Sequence, residues 1–418
     1  MSNYNNLFEV LGIDRGARKE VDRLSKQLNA SKRELIYYND NNILPSGSIL
    51  QSIASEFQIS TDMLKISMGI IDKELINKLR EKSDEIEKLI DSTKSTKKLK
   101  SPAPVFETEH GTLYQEDCLD LMTSMESDSI DLIFADPPFN LDKDYPSGIN
   151  DSLKEKEYRE WTEDWLSECV RVLKFGGSLF LWNLPKWNTY FSKYLNDRLT
   201  FRHWIAVDIK YTLPIQGRLY PSHYSLLYYT KGPKPSTFNP DRLPMETCPH
   251  CYKELKDYGG YKHKMNPSGI NLTDVWYDIP PVRHRKYKAR KGANELSIKL
   301  MDRIIEMSTE EGDLVFDPFG GAGTTYIVSE LKKRKWIGVE LGPVKAIMDR
   351  FDSINDEKEY LKNYRKNYNH LFPEEVLRQR IRRGHWTPKT VRYKTEKGSQ
   401  RELKLEEYVT EYMADQKA

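Results

Sequence analysis

Short apolar runs alternating with helical patterns are the feature that most restricts how this 418-residue chain can fold. Four runs, each long enough for one buried strand, lie at 130–135, 178–182, 314–316 and 336–339. Helical patterns occupy stretches between them, including 161–173 and 296–307. Strands that alternate with helices are typical of a mostly parallel, doubly wound sheet. The sequence therefore predicts an α/β fold for this part of the chain.

The composition excludes several classes of protein. No apolar run approaches the about 18 residues that a membrane span needs, and the N-terminus lacks the basic and apolar pattern of a signal peptide. Four cysteines in 418 residues suit a reducing compartment better than a disulfide framework. The 65 Lys and Arg nearly balance the 63 Asp and Glu, so any nucleic-acid surface must be local. We therefore expect a cytoplasmic protein with no membrane partner.

Changes in composition along the chain predict its domains. Residues 1–71 have the leucine and isoleucine spacing of a small helical bundle, and 72–104 form a charged helix followed by a Lys- and Pro-rich linker. The α/β domain is predicted at 105–345. Within it, residues 231–292 contain 13 Lys and Arg against 6 Asp and Glu and form an irregular basic insertion. The remainder, 346–418, is predicted to be a helical and then basic extension.

A glycine-rich turn follows the third apolar run. The sequence Asp317-Pro-Phe-Gly-Gly-Ala-Gly-Thr-Thr325 opens a helix there, and Glu340 follows the next predicted strand. Glycines at such a turn allow backbone amides to approach a ligand, and an acid after the next strand is placed for ribose hydroxyls. A tight turn with a capping acid is the alternative. The series of strand, turn, helix, strand and acid favours a nucleotide-type ligand.

A second strand-end turn, Asp136-Pro137-Pro138-Phe139, follows the first apolar run. Two prolines remove two backbone donors, so the turn presents a carboxylate and carbonyls. Acceptors without donors suit the binding of an exocyclic amino group, and Phe139 could stack on the ring that carries it. A strand-ending proline turn with a capping Asp is the alternative interpretation.

Together these motifs resemble motif IV and motif I of the amino-methylating DNA methyltransferases, which use S-adenosylmethionine (SAM). Motif IV precedes motif I here, with the basic insertion between them, as in the circularly permuted β-class. Tyr114-Gln-Glu-Asp117-Cys118 is similar to motif III of that family. The resemblance covers about residues 107–345 and implies a Rossmann-like, doubly wound methyltransferase sheet with SAM as cofactor.

The resemblance also implies roles for individual residues. The catalytic residues implied are Asp136, Pro137, Pro138 and Phe139. The cofactor-binding residues implied are Asp117, Cys118, Asn294, Asp317, Pro318, Phe319, Gly320, Gly321, Gly323, Thr324, Thr325 and Glu340. At motif X the family has a Lys-Pro pair, whereas this chain has Asn294-Glu295-Leu296, so only Asn294 is carried over.

The function implied is methylation of adenine N6 in flipped-out bases of double-stranded DNA, within a restriction-modification system. Adenine follows from Asp rather than Ser at the first position of motif IV, by resemblance alone. Cytosine-N4 methylation and a DNA-binding regulator with a vestigial methyltransferase fold are the alternatives; RNA methylation is disfavoured by the basic insertion. A homodimer, a cognate restriction endonuclease and a prokaryotic or phage origin are also expected.

Two further patterns concern DNA and metal. The run Arg283-His284-Arg285-Lys286 lies in the insertion and predicts phosphate contacts, although a solvated charged face is the alternative. Cys248 and Cys251 form a single Cys-x-x-Cys pair, which is a weak zinc candidate because a second pair is missing, so no metal is predicted.

The N-terminal bundle resembles the helix-turn-helix of lambda-repressor-like domains, on the residues 23–35 and the pattern that continues to residue 60. Ser31 would cap the recognition helix, with Lys32 and Arg33 on its first turn. DNA binding is the predicted role, and a helical packing or dimerisation module is the alternative.

Overall fold

The structure, a computed structural model, describes residues 6–14, 16–45, 47–90, 102–142, 151–208, 216–217, 219, 221–243, 248, 256, 259–260, 270–279, 296–368, 374–385, 392–394 and 400–402. Its backbone contacts divide the chain into two compact units, Met1–Lys98 and Leu99–Ala418. None of the helices in these described ranges is both long and apolar enough to cross a membrane.

The described part of the first unit is helical. Its helices are α1 (Leu7–Val10), α2 (Arg18–Gln27), α3 (Lys32–Asp40), α4 (Gly47–Glu56), α5 (Thr61–Ser67), α6 (Lys73–Glu81) and α7 (Ser83–Ile90). Leu24, Leu35 and Ile53 are at most 1% exposed and meet in one core. The charged helix predicted at the start of 72–104 is instead two helices, α6 and α7. The first ends at Glu81, and its C-cap residue Lys82 has left helical geometry at φ −110° and ψ 17°.

Ser31 does cap α3, as predicted from the sequence. Its side chain accepts the Glu34 backbone N–H at 3.2 Å, and the Glu34 carboxylate accepts the Ser31 N–H at 3.0 Å. This reciprocal pair satisfies two donors that the first turn of a helix leaves open. The hydrogen bonds to Ser31 lower the pKa of Glu34. Lys32 and Arg33 are exposed, and Lys32 forms an ion pair with Asp22 of α2.

Strands and helices alternate through the second unit. Up to the insertion the order is β1 (Phe106–Glu107), β2 (Gly111–Tyr114), α8 (Cys118–Ser124), β3 (Ile130–Ala135), α9 (Glu155–Val172), β4 (Leu173–Asn183), α10 (Pro185–Asn196), β5 (Thr200–Asp208) and β6 (His223–Thr230). From the insertion onward it is β7 (Arg242–Leu243), β8 (Ile270–Asn271), β9 (Val275–Trp276), α11 (Ile298–Ser308), β10 (Leu314–Asp317), α12 (Thr324–Leu331), β11 (Lys335–Val339), α13 (Lys345–Asp352), α14 (Ile354–Tyr368), α15 (Glu374–Arg382), β12 (Arg392–Lys394) and β13 (Gln400–Glu402).

Nine strands form one sheet in the order β1-β2-β11-β10-β3-β4-β6-β5-β9. The five strands from β2 to β4 are mutually parallel, whereas β6 runs antiparallel to both β4 and β5. The predicted α/β fold with a mostly parallel sheet is thereby confirmed. All four apolar runs are strands of it, although β4 begins five residues before the predicted 178.

Alternating side chains of the central strands enter two different cores. Leu132 and Phe134 of β3 pack on the side that carries α11 and α12, while Ile133 and Ala135 pack on the side that carries α9 and α10. Successive side chains of a strand point to opposite faces, so an apolar run without polar interruption is buried on both. The sheet is therefore covered by helices on each face, as the doubly wound prediction requires.

The ends of the insertion are tied to later helices by buried charges. Arg303 of α11 is 1% exposed and donates to Asp278 twice, at 3.0 and 2.7 Å, while its Nε lies 3.4 Å from Asp241. Arg365 of α14 donates to Asp241 at 2.8 Å and pairs with Asp302. A charge is retained in an interior only when it is paired. The first helices of the predicted C-terminal extension thus share the core of the α/β unit.

Candidate functional site

Four carboxylates follow the ends of four adjacent parallel strands. Asp117 comes three residues after β2, Glu340 directly after β11, Asp317 is the last residue of β10, and Asp136 comes directly after β3. Because β2, β11, β10 and β3 are consecutive in the sheet, all four acids lie at its carboxyl edge. Ligands of open α/β sheets bind at this edge. The structure therefore brings together the acids that the sequence predicts for the cofactor and for the target.

The glycine-rich turn between β10 and α12 is a tightly closed loop. Gly320 donates to the Val339 carbonyl at 2.9 Å, and Gly323 donates to the Gly320 carbonyl at 2.7 Å. Gly323 has φ 74°, and a Cβ added there would lie 2.8 Å from Ile347. A side chain at this position would therefore be both strained and crowded. The turn needs glycine for its own geometry, and α12 begins immediately after it.

Asp317 forms hydrogen bonds within this turn. The residue is 3% exposed, and its carboxylate accepts from the Thr325 hydroxyl at 2.5 Å and from the Phe319 N–H at 2.9 Å. Burial raises the pKa of Asp317 well above its usual range, and the charges of Asp136 and Glu340 add to that effect against the two hydrogen bonds. Asp317 therefore shapes the loop, and each of its two oxygens accepts one hydrogen bond within it.

Glu340 and Asp117 are the more accessible acids of the cofactor half. Glu340 is half-buried and accepts the Gly321 N–H on one oxygen and the Gly342 N–H on the other, both at 2.8 Å. Asp117 is also half-buried and caps α8 by accepting from Leu119 at 2.8 Å. A carboxylate accepts about four hydrogen bonds, so each retains acceptor capacity for hydroxyl or amino donors.

The remaining motif residues are mostly buried around the turn. Phe319 is half-buried, with its ring 5.0 Å from Trp165 and 5.9 Å from Trp161. Cys118 is 7% exposed, and burial raises its thiol pKa, so it is an inert packing group. The other buried members of the predicted set are Pro318, Gly320, Gly323, Thr324 and Thr325.

A buried arginine anchors the glycine-rich turn from α13. Arg350 is 0% exposed and donates to the Ala322 carbonyl at 3.1 Å and to the Thr324 hydroxyl at 2.7 Å. Glu357 of α14 accepts from its Nε at 2.9 Å. Sequence reasoning missed this contact, since only a helical pattern marks these residues.

The Asp136–Phe139 segment is held by side chains from α9 and α10. The Tyr158 hydroxyl donates to the Pro138 carbonyl at 2.6 Å, and the Trp187 indole N–H donates to the Phe139 carbonyl at 2.8 Å. Asp136 is half-buried and Pro137 is buried. Two carbonyls of this segment are thus held in place by side chains from neighbouring helices.

Phe139 lies deeper than the sequence suggests. Its side chain is 4% exposed and packs 5.9 Å from the Tyr224 ring, which in turn lies 4.8 Å from Trp182. In this structure the ring belongs to the core beneath the motif, and stacking on a substrate ring stays a prediction.

Several predicted site residues are not placed at the sheet edge. Asn294, Cys251 and the run Arg283-His284-Arg285-Lys286 lie outside the described residues. Cys248 is a half-buried free thiol. Where side chains are described, no group of three or more His, Cys, Asp or Glu could hold a metal ion. Ser31, Lys32 and Arg33 belong to the separate N-terminal unit.

Comparison with known proteins supplies the family. Residues 130–349 match the family model described as DNA methylase. The chain is 47% identical to the Type II methyltransferase M.BamHI of Bacillus amyloliquefaciens, over 93% of this chain and 92% of that protein. It is also 31% identical to the DNA adenine methyltransferase YhdJ of Escherichia coli (strain K12), over 56% of this chain and 80% of that protein.

One solved structure is also similar to part of this chain. The PvuII DNA methyltransferase, described as cytosine-N4-specific, superposes with a TM-score of 0.46 and 21% identity, over 63% of this chain and 96% of that one.

Proposed function

The chain belongs to the DNA methylase family, a family of SAM-dependent enzymes, and on that premise we propose that it methylates an exocyclic amino nitrogen in double-stranded DNA. One observation carries the proposal. Asp136 follows β3 and Asp317 ends β10, and these two strands are neighbours although about 180 residues separate them in the chain. A site for an amino group therefore lies directly beside the glycine-rich turn.

The residues at the turn fit the expected cofactor. SAM supplies an electrophilic methyl group on a positively charged sulfonium. Asp136 and Glu340 both lie near enough to Asp317 for their charges to act on it, and two carboxylates so close to the turn suit a cationic group. We propose that Glu340 accepts from the ribose hydroxyls and that Asp117 lies at the adenine end. The turn at Gly320 and Gly321 allows close approach of the ligand.

The chemistry at Asp136 follows from the nature of an aromatic amine. Its lone pair is delocalised into the ring and is a poor nucleophile. Two acceptors, the Asp136 carboxylate and the Pro137 carbonyl, can engage its two N–H groups and favour a pyramidal nitrogen with a directed lone pair. The same carboxylate can accept the proton that the amine loses. Because the nitrogen is unreachable inside a duplex, the base must leave the stack.

Adenine N6 is the finer part of the proposal. It is supported by Asp at the first position of the motif and by the similarity to YhdJ, which is named as an adenine methyltransferase. Cytosine N4 is the alternative, because both amino groups offer two N–H donors to Asp136 and Pro137. A regulator that binds DNA without methylating it is the alternative from another class.

We propose that DNA contacts are divided between two regions. The basic insertion at 231–292 would read the flanks of the target, with Arg283, His284, Arg285 and Lys286 on phosphates. The N-terminal unit, with Lys32 and Arg33 exposed on α3, would add a separate helix-turn-helix contact. By analogy with the named Type II methyltransferases, the chain would protect DNA against a cognate restriction endonuclease, and a homodimer is the expected assembly.

The test is to incubate the purified protein with unmethylated bacterial genomic DNA and methyl-labelled SAM, then to identify methylated nucleosides by mass spectrometry. N6-methyladenine is the expected product. Detection of N4-methylcytosine instead would identify cytosine as the target base and would leave the proposed mechanism at the amino group unchanged. DNA binding with neither product would favour the regulator.

The matched variants are Asp136→Ala and Asp197→Ala. Asp136→Ala should lower the transfer rate about 10²- to 10³-fold, because one oriented acceptor is lost, while SAM affinity stays within a few-fold. Asp197 is exposed at the end of α10, and its loss should change neither quantity. Loss of SAM binding in Asp136→Ala would contradict this role and would assign Asp136 to the cofactor site.

A further inference from the structure

The Tyr158 hydroxyl has its hydrogen directed by a neighbour. The side-chain oxygen of Asn183, the last residue of β4, accepts the Leu184 N–H at 2.7 Å. The Asn183 amide nitrogen must therefore face Tyr158, and it donates to the hydroxyl oxygen at 3.0 Å. A hydroxyl has one hydrogen, so that of Tyr158 goes to the Pro138 carbonyl at 2.6 Å.

Burial makes this short chain of hydrogen bonds specific. Tyr158 is 1% exposed and Asn183 is 0% exposed. The Tyr158 ring lies 4.6 Å from the Trp187 ring, and Trp187 donates to the Phe139 carbonyl. Because these side chains are buried, each of their donors has few alternative partners. Helices α9 and α10 thus anchor two carbonyls of the Asp136–Phe139 segment.

The two anchored carbonyls fix the path of the segment. Asp136 and Pro137 directly precede Pro138 in the chain, so anchoring the Pro138 carbonyl also limits how far the Asp136 carboxylate and the Pro137 carbonyl can move. Small errors in such geometry are costly, and a displacement of about 1 Å can reduce a rate about 10²-fold.

We propose that Tyr158, oriented by Asn183, is a positioning residue for methyl transfer: it fixes the Pro138 carbonyl and thereby holds the adjoining Asp136 and Pro137 in the position that the target amino group needs. The inference rests on the proposed function of that motif. Tyr158 lies behind the segment and acts through it, without itself touching the amine.

The test removes the hydroxyl group from each of two buried tyrosines, in two separate variants. Tyr158→Phe keeps the ring packing and removes the donor to Pro138. Tyr229→Phe is the control, because Tyr229 is 0% exposed and its hydroxyl also contacts a carbonyl and an amide oxygen, those of Ser192 and Asn196. Tyr229 pairs with Leu179, four residues from Asn183 along β4 and away from the site.

We expect the single-turnover methylation rate of Tyr158→Phe to fall about 10- to 100-fold. Its SAM dissociation constant and its KM for DNA should stay within about threefold of the wild type, because neither ligand contacts the hydroxyl. Tyr229→Phe should keep the wild-type rate within about twofold. Trp187→Phe removes the second donor and should repeat the loss of rate.

Equal rates for Tyr158→Phe and Tyr229→Phe would overturn the proposal, as would a loss explained entirely by weaker binding of SAM or DNA. If Tyr158→Phe fails to fold, Trp187→Phe takes its place, since it tests the same pair of anchored carbonyls, and a wild-type rate in that variant would equally overturn the proposal. A wild-type protein that methylates no amino group would refute the proposed function itself, and the comparison of variants would then not arise.

Discussion

Glu340 is expected to have two roles, bracing the glycine-rich turn and binding the ribose of the cofactor, and Glu340→Gln affects both. Its two carboxylate oxygens each accept one backbone N–H, from Gly321 and from Gly342, both at 2.8 Å. Glutamine has one acceptor oxygen, so one of those N–H groups would face the amide NH₂. The change therefore weakens the brace of the glycine-rich turn and also removes the charge offered to the ribose.

The magnitude follows from the bonds at risk. A hydrogen bond to a charged group contributes about 1.5–3 kcal/mol, so loss of one ribose contact weakens cofactor binding about 10- to 150-fold. Loss of one brace alone costs about 1–3 kcal/mol and acts on the loop, whichever ligand is bound. Affinity for one ligand thus cannot distinguish the two contributions.

A thermodynamic cycle that combines one change in the protein with one change in the ligand does distinguish the two contributions. Titration calorimetry would compare S-adenosylhomocysteine with its 2′-deoxy and 3′-deoxy analogues on the wild type and on Glu340→Gln. If Glu340 accepts from a ribose hydroxyl, the variant should lose little further affinity when that hydroxyl is missing. The expected coupling energy is about 1–3 kcal/mol for at least one analogue.

Glu330→Gln is the matched control. Glu330 is a half-buried residue of α12 whose carboxylate accepts from Thr108 at 2.6 Å and Trp336 at 2.7 Å. It lies at the end of α12 remote from the turn, so it should show no coupling. A coupling energy below about 0.5 kcal/mol in Glu340→Gln would refute the ribose contact, and bracing of the glycine-rich turn would then be the remaining role of Glu340. Unchanged affinity for every ligand would refute the cofactor assignment altogether.

Three further predictions concern the organisation of the chain. Arg303→Met should lower the free energy of unfolding in urea by about 2–4 kcal/mol, because Asp278 then keeps only the ion pair with Lys299. Arg198→Met is the control: it removes an exposed cation and should lower the free energy of unfolding by less than about 1 kcal/mol. Burial alone would raise the pKa of Asp278, but Arg303 and Lys299 together lower it, so its stabilisation is present above its ordinary pKa and disappears as the pH falls; equal acid sensitivity of the wild type and Arg303→Met would contradict this. Deletion of residues 1–98 should leave the methylated sequence unchanged in modified-base maps, and a changed sequence would assign target reading to the N-terminal unit.

The features predicted well from the sequence are those with a local cause. An apolar run such as Ile130–Ala135 is long enough for one strand and is followed by prolines, so both the strand and the acid after it are visible in six or seven residues. The glycine-rich turn is equally local, because Gly323 is needed for its own positive φ. Ser31 and Glu34 cap α3 through contacts three residues apart.

The features that were missed have their partners far away in the chain. Nothing near Tyr158 or Trp187 shows that their donors reach Pro138 and Phe139, 20 and 48 residues away. The bond between Asp317 and Thr325 was also not predicted: it forms because the helix that follows the turn brings the Thr325 hydroxyl back against the Asp317 carboxylate. The pairing of Asp241 with Arg365 spans 124 residues.

The sequence by itself determined which segments are strands, which turns carry acids and which glycines are obligatory, because backbone preferences and turn chemistry act over a few residues. The tertiary structure decided that β3 lies beside β10, and hence that Asp136 and Asp317 interact. It also decided which carbonyls of the Asp136–Phe139 segment are held by side chains from distant helices. These outcomes depend on how distant surfaces pack, since a buried donor takes whichever acceptor the packing brings within about 3 Å.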